Sequence, residues 1–217
     1  MNENISKTIG LYASLVVAIS TIIFGISLIW EMINLSEFTK NLGYVSSIMI
    51  ALGVVVMMAC FYDVTQKQLK IFSLLALVSA ILYAPLCIVT YYLQLSIVST
   101  NSLQLSGDII EAVNFKPGSP TSAIDMLGYG FLCLSTIAAA FALKRAEDKL
   151  LRILCFFHGA MVIPTIVGPL NSDVFLTTNG ETDYTGYIVL LFWCAVFIPF
   201  ALLFSRHFGR TYQEHPF

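Results

Sequence analysis

Six stretches of the chain run apolar for 18 residues or more, and short polar segments separate them. They cover residues 9–30, 42–62, 71–98, 123–143, 150–167 and 187–204. Four of the six contain no ionisable acid, Lys, Arg or His; the exceptions hold Asp125 in the fourth, and Arg152 and His158 in the fifth. A helix that crosses a hydrocarbon core needs about 20 mainly apolar residues. The runs are continuous, without the alternation of a membrane β-strand, and lipid admits only helices and closed barrels because backbone groups have no water to bond there. The pattern therefore predicts an all-α, polytopic integral membrane bundle of six transmembrane helices. Little chain is left over, so residues 1–217 are read as a single membrane domain. The first run is longer than a signal-peptide core, and Leu28-Ile29-Trp30-Glu31 is no cleavage site, so it is read as a retained helix. Neither end carries a lipidation motif.

Between the third and fourth runs lies the most structured connection. Ser106-Gly107-Asp108 has the form of a helix start, Ile109, Ile110, Ala112, Val113 and Phe115 supply an apolar side, and Lys116-Pro117-Gly118 ends it. A short amphipathic helix is predicted, resting in the headgroups or closing over the bundle as a lid.

Composition strengthens the membrane reading. The chain is 58% hydrophobic and 11% charged, against about 45–50% and 25% in soluble domains, and its mean hydropathy is +0.83. That excludes an ordinary soluble fold and a disordered chain. A net charge of -2 argues against a nucleic-acid partner. The basic residues are distributed unevenly. Nine of the eleven Lys and Arg fall in the N-terminal segment, the second and fourth connections and the C-terminal tail; Lys40 and Lys116 fall on the opposite side. Basic short loops stay in the cytoplasm, so both termini are predicted cytoplasmic, in a plasma membrane or bacterial inner membrane. On the outer side, Asn34-Leu35-Ser36 is a glycosylation triplet too close to two helix ends for use. Asp173, Glu181 and Asp183 make the fifth connection acidic, with at most weak cation binding and no calcium-loop spacing.

Helix packing also leaves marks. Small residues recur at helical spacing in Ser14, Ala18, Thr21 and Gly25; in Gly43, Ser47 and Ala51; and in Ser135, Ala138, Ala139 and Ala142. Such ridges let helices approach closely in lipid, within one chain first and against a homo-oligomer or partner membrane protein second. Trp30, Tyr62, Tyr91, Tyr92, Tyr184 and Tyr187 sit near span ends and read as interface anchors. Pro85, Pro164 and Pro199 each free a carbonyl four residues earlier, those of Ile81, Ala160 and Ala195, and bend the helix so that a cavity can open. No internal repeat appears, which argues against an inverted-repeat transporter.

Candidate chemistry is sparse. Cys60, Cys87, Cys133, Cys155 and Cys194 all lie within spans, without a CxxC pair, and read as core residues. His158 is the one histidine inside a span, roughly 12 Å deep at 1.5 Å per residue. An ionisable group at that depth is a functional candidate by default, although a neutral imidazole is held readily by one hydrogen bond. Cys155 beside it is too little for zinc. Asp125 falls in the first turn of the fourth span, where the helix dipole favours an acid. Tyr129 lies one turn deeper, and Tyr83 sits beside the bend at Pro85. Together Asp125, Tyr129, Tyr83 and His158 are read as lining one polar funnel that opens outward. No phosphate loop, metalloprotease helix or nucleophile elbow is present, and no cofactor or metal is predicted. The reading is a non-enzymatic protein that binds a small or lipid-like ligand in this cavity, as sensor or carrier. The alternatives are an enzyme acting on a lipid, with His158 as general base, and an accessory subunit packed through its small-residue ridges.

Overall fold

The computed structural model describes residues 3–34, 36–100, 106–116, 118–170 and 185–210. Within them every regular element is helical. The helices are α1 (Glu3–Ile33), α2 (Glu37–Val64), α3 (Lys70–Leu93), α4 (Gly107–Val113), α5 (Pro120–Ala142), α6 (Lys149–Ala160), α7 (Val162–Val167) and α8 (Thr185–Gly209). Six stretches are long and apolar enough to span a membrane, from Asn4–Ile33 to Gly186–Gly209. These spans coincide with the six apolar runs and mostly outlast them, because a run marks only the part of a helix that meets hydrocarbon. Caps set the true ends. Ser36 caps α2 by accepting from the Thr39 N–H at 3.2 Å, which engages the hydroxyl of the Asn34-Leu35-Ser36 triplet. Ser119 caps α5 by accepting from the Ser122 N–H at 3.2 Å, with Pro120 in the first turn, where its missing N–H costs nothing.

The fifth span is not one helix. α6 stops at Ala160, Met161 turns, and α7 begins at Val162. Pro164 causes this: it has no N–H for the Ala160 carbonyl and its ring crowds that carbonyl. Pro85 and Pro199 are carried inside continuous helices. At Pro85 a groove of about 460 Å³ does open between α2 and α3, but Leu52, Val56, Ile81 and Val89 make it apolar and outward-facing. The bend at Pro85 thus leaves space on the lipid side rather than at the polar residues.

The spans follow chain order around a ring. α1 packs on α2, α2 on α3, α3 on α5, α5 on α6 and α7, α6 on α8, and α8 closes on α1. The small-residue ridges face mostly inward: Ser14, Ala18, Thr21, Ser47, Ala51, Ser135 and Ala139 are buried and Ala138 is half-buried, and the Ser135 hydroxyl donates to the Ala76 carbonyl of α3 at 2.7 Å. Side chains such as Ile19, Ile26, Leu52 and Ile71 face outward instead.

Gly159 shows how tightly α6 meets α5. A Cβ there overlaps Ile137 Cγ1 and lies 3.3 Å from the Cys133 carbonyl oxygen. Ile137 has room to rotate; the backbone does not. Gly159→Ala is expected to lower stability by about 1–2 kcal/mol, overpacking outweighing the gain in helix propensity. Thermal unfolding in detergent measures it.

Candidate functional site

α8 carries an aromatic face through the bundle. Trp193, Phe197, Phe200 and Phe204 recur at three- and four-residue spacing, and their successive ring centroids lie 4.6, 4.8 and 4.9 Å apart. Helical periodicity makes the column: residues three and four apart share a face.

His158 of α6 packs against this column, 5.1 Å from the Phe197 ring, and is fully buried. Both ring nitrogens are engaged. Trp193 Nε1 lies 3.0 Å from His158 Nε2. An indole N–H only donates, so Nε2 accepts and the imidazole proton of the neutral ring resides on Nδ1. Nδ1 lies 3.0 Å from Thr136 Oγ1 and donates to it. The Thr136 hydroxyl in turn donates to the Cys133 carbonyl at 2.8 Å. The chain Trp193 to His158 to Thr136 to Cys133 is directional and leaves neither ring nitrogen free. Among the described residues none of these partners is a titratable acid or base, and Cys155 is not among them.

The other three predicted residues do come together. Asp125 of α5 is 3% exposed, Tyr129 6% and Tyr83 1%. Tyr91 of α3, read from sequence as an interface anchor, is instead buried and donates its hydroxyl to Asp125 Oδ2 at 2.9 Å. Its neighbour Tyr92 is the exposed one; adjacent helical residues point about 100° apart. The Cys87 thiol and the Tyr129 hydroxyl interact with the same pair. Gly128 permits this approach, since a Cβ there falls 2.9 Å from Cys87 Sγ. Asp125 Oδ1 is buried without an N–H or O–H partner. Tyr83 and Tyr129 pack at 6.0 Å, and Tyr129 meets Trp193 edge-on at 5.4 Å. His158 thus joins the group through Trp193. All four predicted residues belong to one column, which is closed to solvent in this conformation rather than open as a funnel.

A strap closes it. α4 forms where the sequence predicts, and the segment after it lies over Tyr91. Gln94, fully buried in a π-turn that follows α3, donates from Nε2 to the Val113 carbonyl at 2.9 Å and accepts from the Phe115 N–H at 3.0 Å. Thr121 donates to the Asn114 carbonyl at 3.2 Å. The Phe115 ring sits 6.0 Å from Tyr91, whose other side stacks on Tyr44 at 5.8 Å.

A second polar cluster lies at the other end of α8. Asp148 is 3% exposed, accepts from Arg210 Nη1 at 2.7 Å, and lies 3.0 Å from His207 Nδ1. His207, read from sequence as part of a tail, is a buried member of α8. Trp193, Tyr91, Gln94 and Asp148 are the functional candidates that sequence reasoning missed. A Trp in mid-span and an amide at a span's end were the available signals, since each polar group must find a partner in lipid. No group of three or more metal-ligating side chains occurs among the described residues. Asp173, Glu181, Asp183 and Tyr184 lie outside the described residues. Comparison with protein-family models, curated proteins and solved structures yields no match for this chain.

Proposed function

We propose that this membrane protein binds a small ligand at Asp125, beneath the strap formed by α4 and residues 114–116, as a sensor or carrier. Tyr91, Tyr129 and Tyr83 line the site, and His158 acts at one remove, by holding Trp193 as its floor. One observation carries the reading: Asp125 Oδ1 is buried without an N–H or O–H partner. A polar atom left unpaired in a membrane interior costs about 1–3 kcal/mol, which a ligand donor would recover. The bias of Lys and Arg supports an orientation with the strap, and with it the site, on the outer face. The ridges that a subunit interface would use are taken up inside the bundle, which favours the binder over the accessory subunit.

Gln94→Ala removes the two hydrogen bonds that Gln94 makes to the strap, leaving that of Thr121 to the Asn114 carbonyl, and keeps the binding side chains in place. With the other four cysteines replaced by Ala, Cys87 becomes the reporter beside Asp125. Impermeant methanethiosulfonates added to one side of sealed vesicles are expected to modify Cys87 from the strap side only. Gln94→Ala is expected to raise that rate about tenfold, as the loss of about 1.4 kcal/mol of closure allows. No modification from the strap side in either protein would end the proposal.

A further inference from the structure

We infer that the ligand of the strap-covered site is a small organic ammonium ion. The inference rests on the binding reading above and names the class of ligand. The groups that act on Asp125 are Cys87, Tyr91, Tyr129 and Tyr83, all of them neutral donors or rings. No Lys, Arg or His is among them. A carboxylate withdrawn from water needs a counter-charge, and among the described residues none of the groups that act on this one supplies it. An anionic ligand is thereby disfavoured, because none of these groups would neutralise it. A divalent metal is disfavoured for a different reason. Calcium takes six to eight oxygen ligands and magnesium a near-octahedral set, whereas the site offers one carboxylate, and no metal-binding group of three occurs among the described residues.

The rest of the lining is what an organic cation uses. Tyr91, which bonds the acid, stacks on Tyr44 at 5.8 Å and meets Phe115 at a tilt at 6.0 Å. Tyr83, Tyr129 and Trp193 form a second group, Tyr83 tilted against Tyr129 at 6.0 Å and Tyr129 edge-on to Trp193 at 5.4 Å. Aromatic faces attract cations through their quadrupoles, more strongly once water is excluded, and cages of such rings select ammonium groups. A protonated amine adds an N–H for Asp125 Oδ1, the atom that lacks a partner. Carboxylate, rings and strap thus supply charge, shape and closure for one small cation.

The test uses the charge of the thiol reagent. In the Gln94→Ala protein with Cys87 as its only cysteine, modification is timed with trimethylammonioethyl and with sulfonatoethyl methanethiosulfonate. The two are similar in size and opposite in charge. The thiol's own reactivity cancels in the ratio of rates. The cationic reagent is expected to react at least tenfold faster, Asp125→Asn is expected to bring the ratio near one, and benzylammonium is expected to slow the reaction while benzyl alcohol does not. Modification at equal rates with both reagents, unchanged by Asp125→Asn, would overturn the ammonium assignment and leave the binding site standing; it would mean that Asp125 carries a proton instead. No modification at all would remove the site and the assignment together. In the unaltered protein, benzylammonium is expected to raise the melting temperature in detergent and benzyl alcohol is not; equal effects of the two would also overturn the assignment.

Discussion

Replacing His158 with Ala is expected to destabilise the bundle by about 4 kcal/mol, within the range for deleting a large buried side chain and orphaning its partners. The imidazole is fully buried and packs beside Phe197 and Phe200 of α8, at 5.1 and 6.0 Å. Its removal leaves a void among rings that cannot collapse, because the aromatic column is continuous on both sides. It also leaves the Trp193 N–H unpaired in a dry interior. Thr136 suffers less, since its hydroxyl retains the Cys133 carbonyl. A double-mutant cycle separates the two terms. Trp193→Phe alone removes the indole donor, and with His158→Ala the losses should fall short of additive by about 1 kcal/mol. Thermal unfolding followed by circular dichroism reads the His158→Ala loss. A loss below about 1 kcal/mol would show that the ring is not the packed, doubly bonded element described.

Asp148→Ala is expected to cost about 3 kcal/mol, because it strands two cationic or donor groups at once. The carboxylate accepts from Arg210 Nη1 at 2.7 Å and from His207 Nδ1 at 3.0 Å, so Nδ1 carries the proton. Breaking a buried ion pair from one side costs about 3–5 kcal/mol. The low end applies here. Arg210 keeps a 26% exposed side chain and a second bond, from Nη2 to the Glu147 carbonyl at 3.0 Å. A cavity of about 200 Å³ beside Asp148 and His207 also gives water a way in. Arg210→Ala should cost less, about 1 kcal/mol, since Asp148 then retains His207. Chemical denaturation of the two variants checks the order. Equal losses would mean that the Asp148–His207 contact contributes nothing, and that α6 and α8 are joined at this end by Arg210 alone.

The spans, the α4 helix and the polar candidates Asp125, Tyr129, Tyr83 and His158 were all legible along the chain, because each is marked by local composition. Their meaning was legible only in part. Tyr91 and Tyr92 are the same residue type at the same depth, yet one bonds Asp125 and the other faces outward; the rotational phase of α3 against α5 decides between them. The break at Met161 was half legible: Pro164 announced a freed Ala160 carbonyl, but whether a helix runs on, as α8 does past Pro199, or stops, as α6 does, depends on what its neighbours can satisfy.

The sequence by itself determined that this chain forms a bundle of six membrane-spanning helices, since transfer from water to lipid is close to a sum over residues and each span carries its own sum. Only the tertiary structure decided which polar groups meet. The bonds of His158 to Thr136 and Trp193, of Asp125 to Tyr91, and of Asp148 to His207 join residues 22, 35, 34 and 59 positions apart. No local pattern encodes such pairings. They follow from the order of helices around the ring, from the close approach that small residues allow, and from the requirement that each buried donor find an acceptor. That requirement turned His158 from a candidate ligand contact into a support for Trp193, and among the described residues it left Asp125 Oδ1, with the Ser47 and Thr90 hydroxyls, in need of a partner.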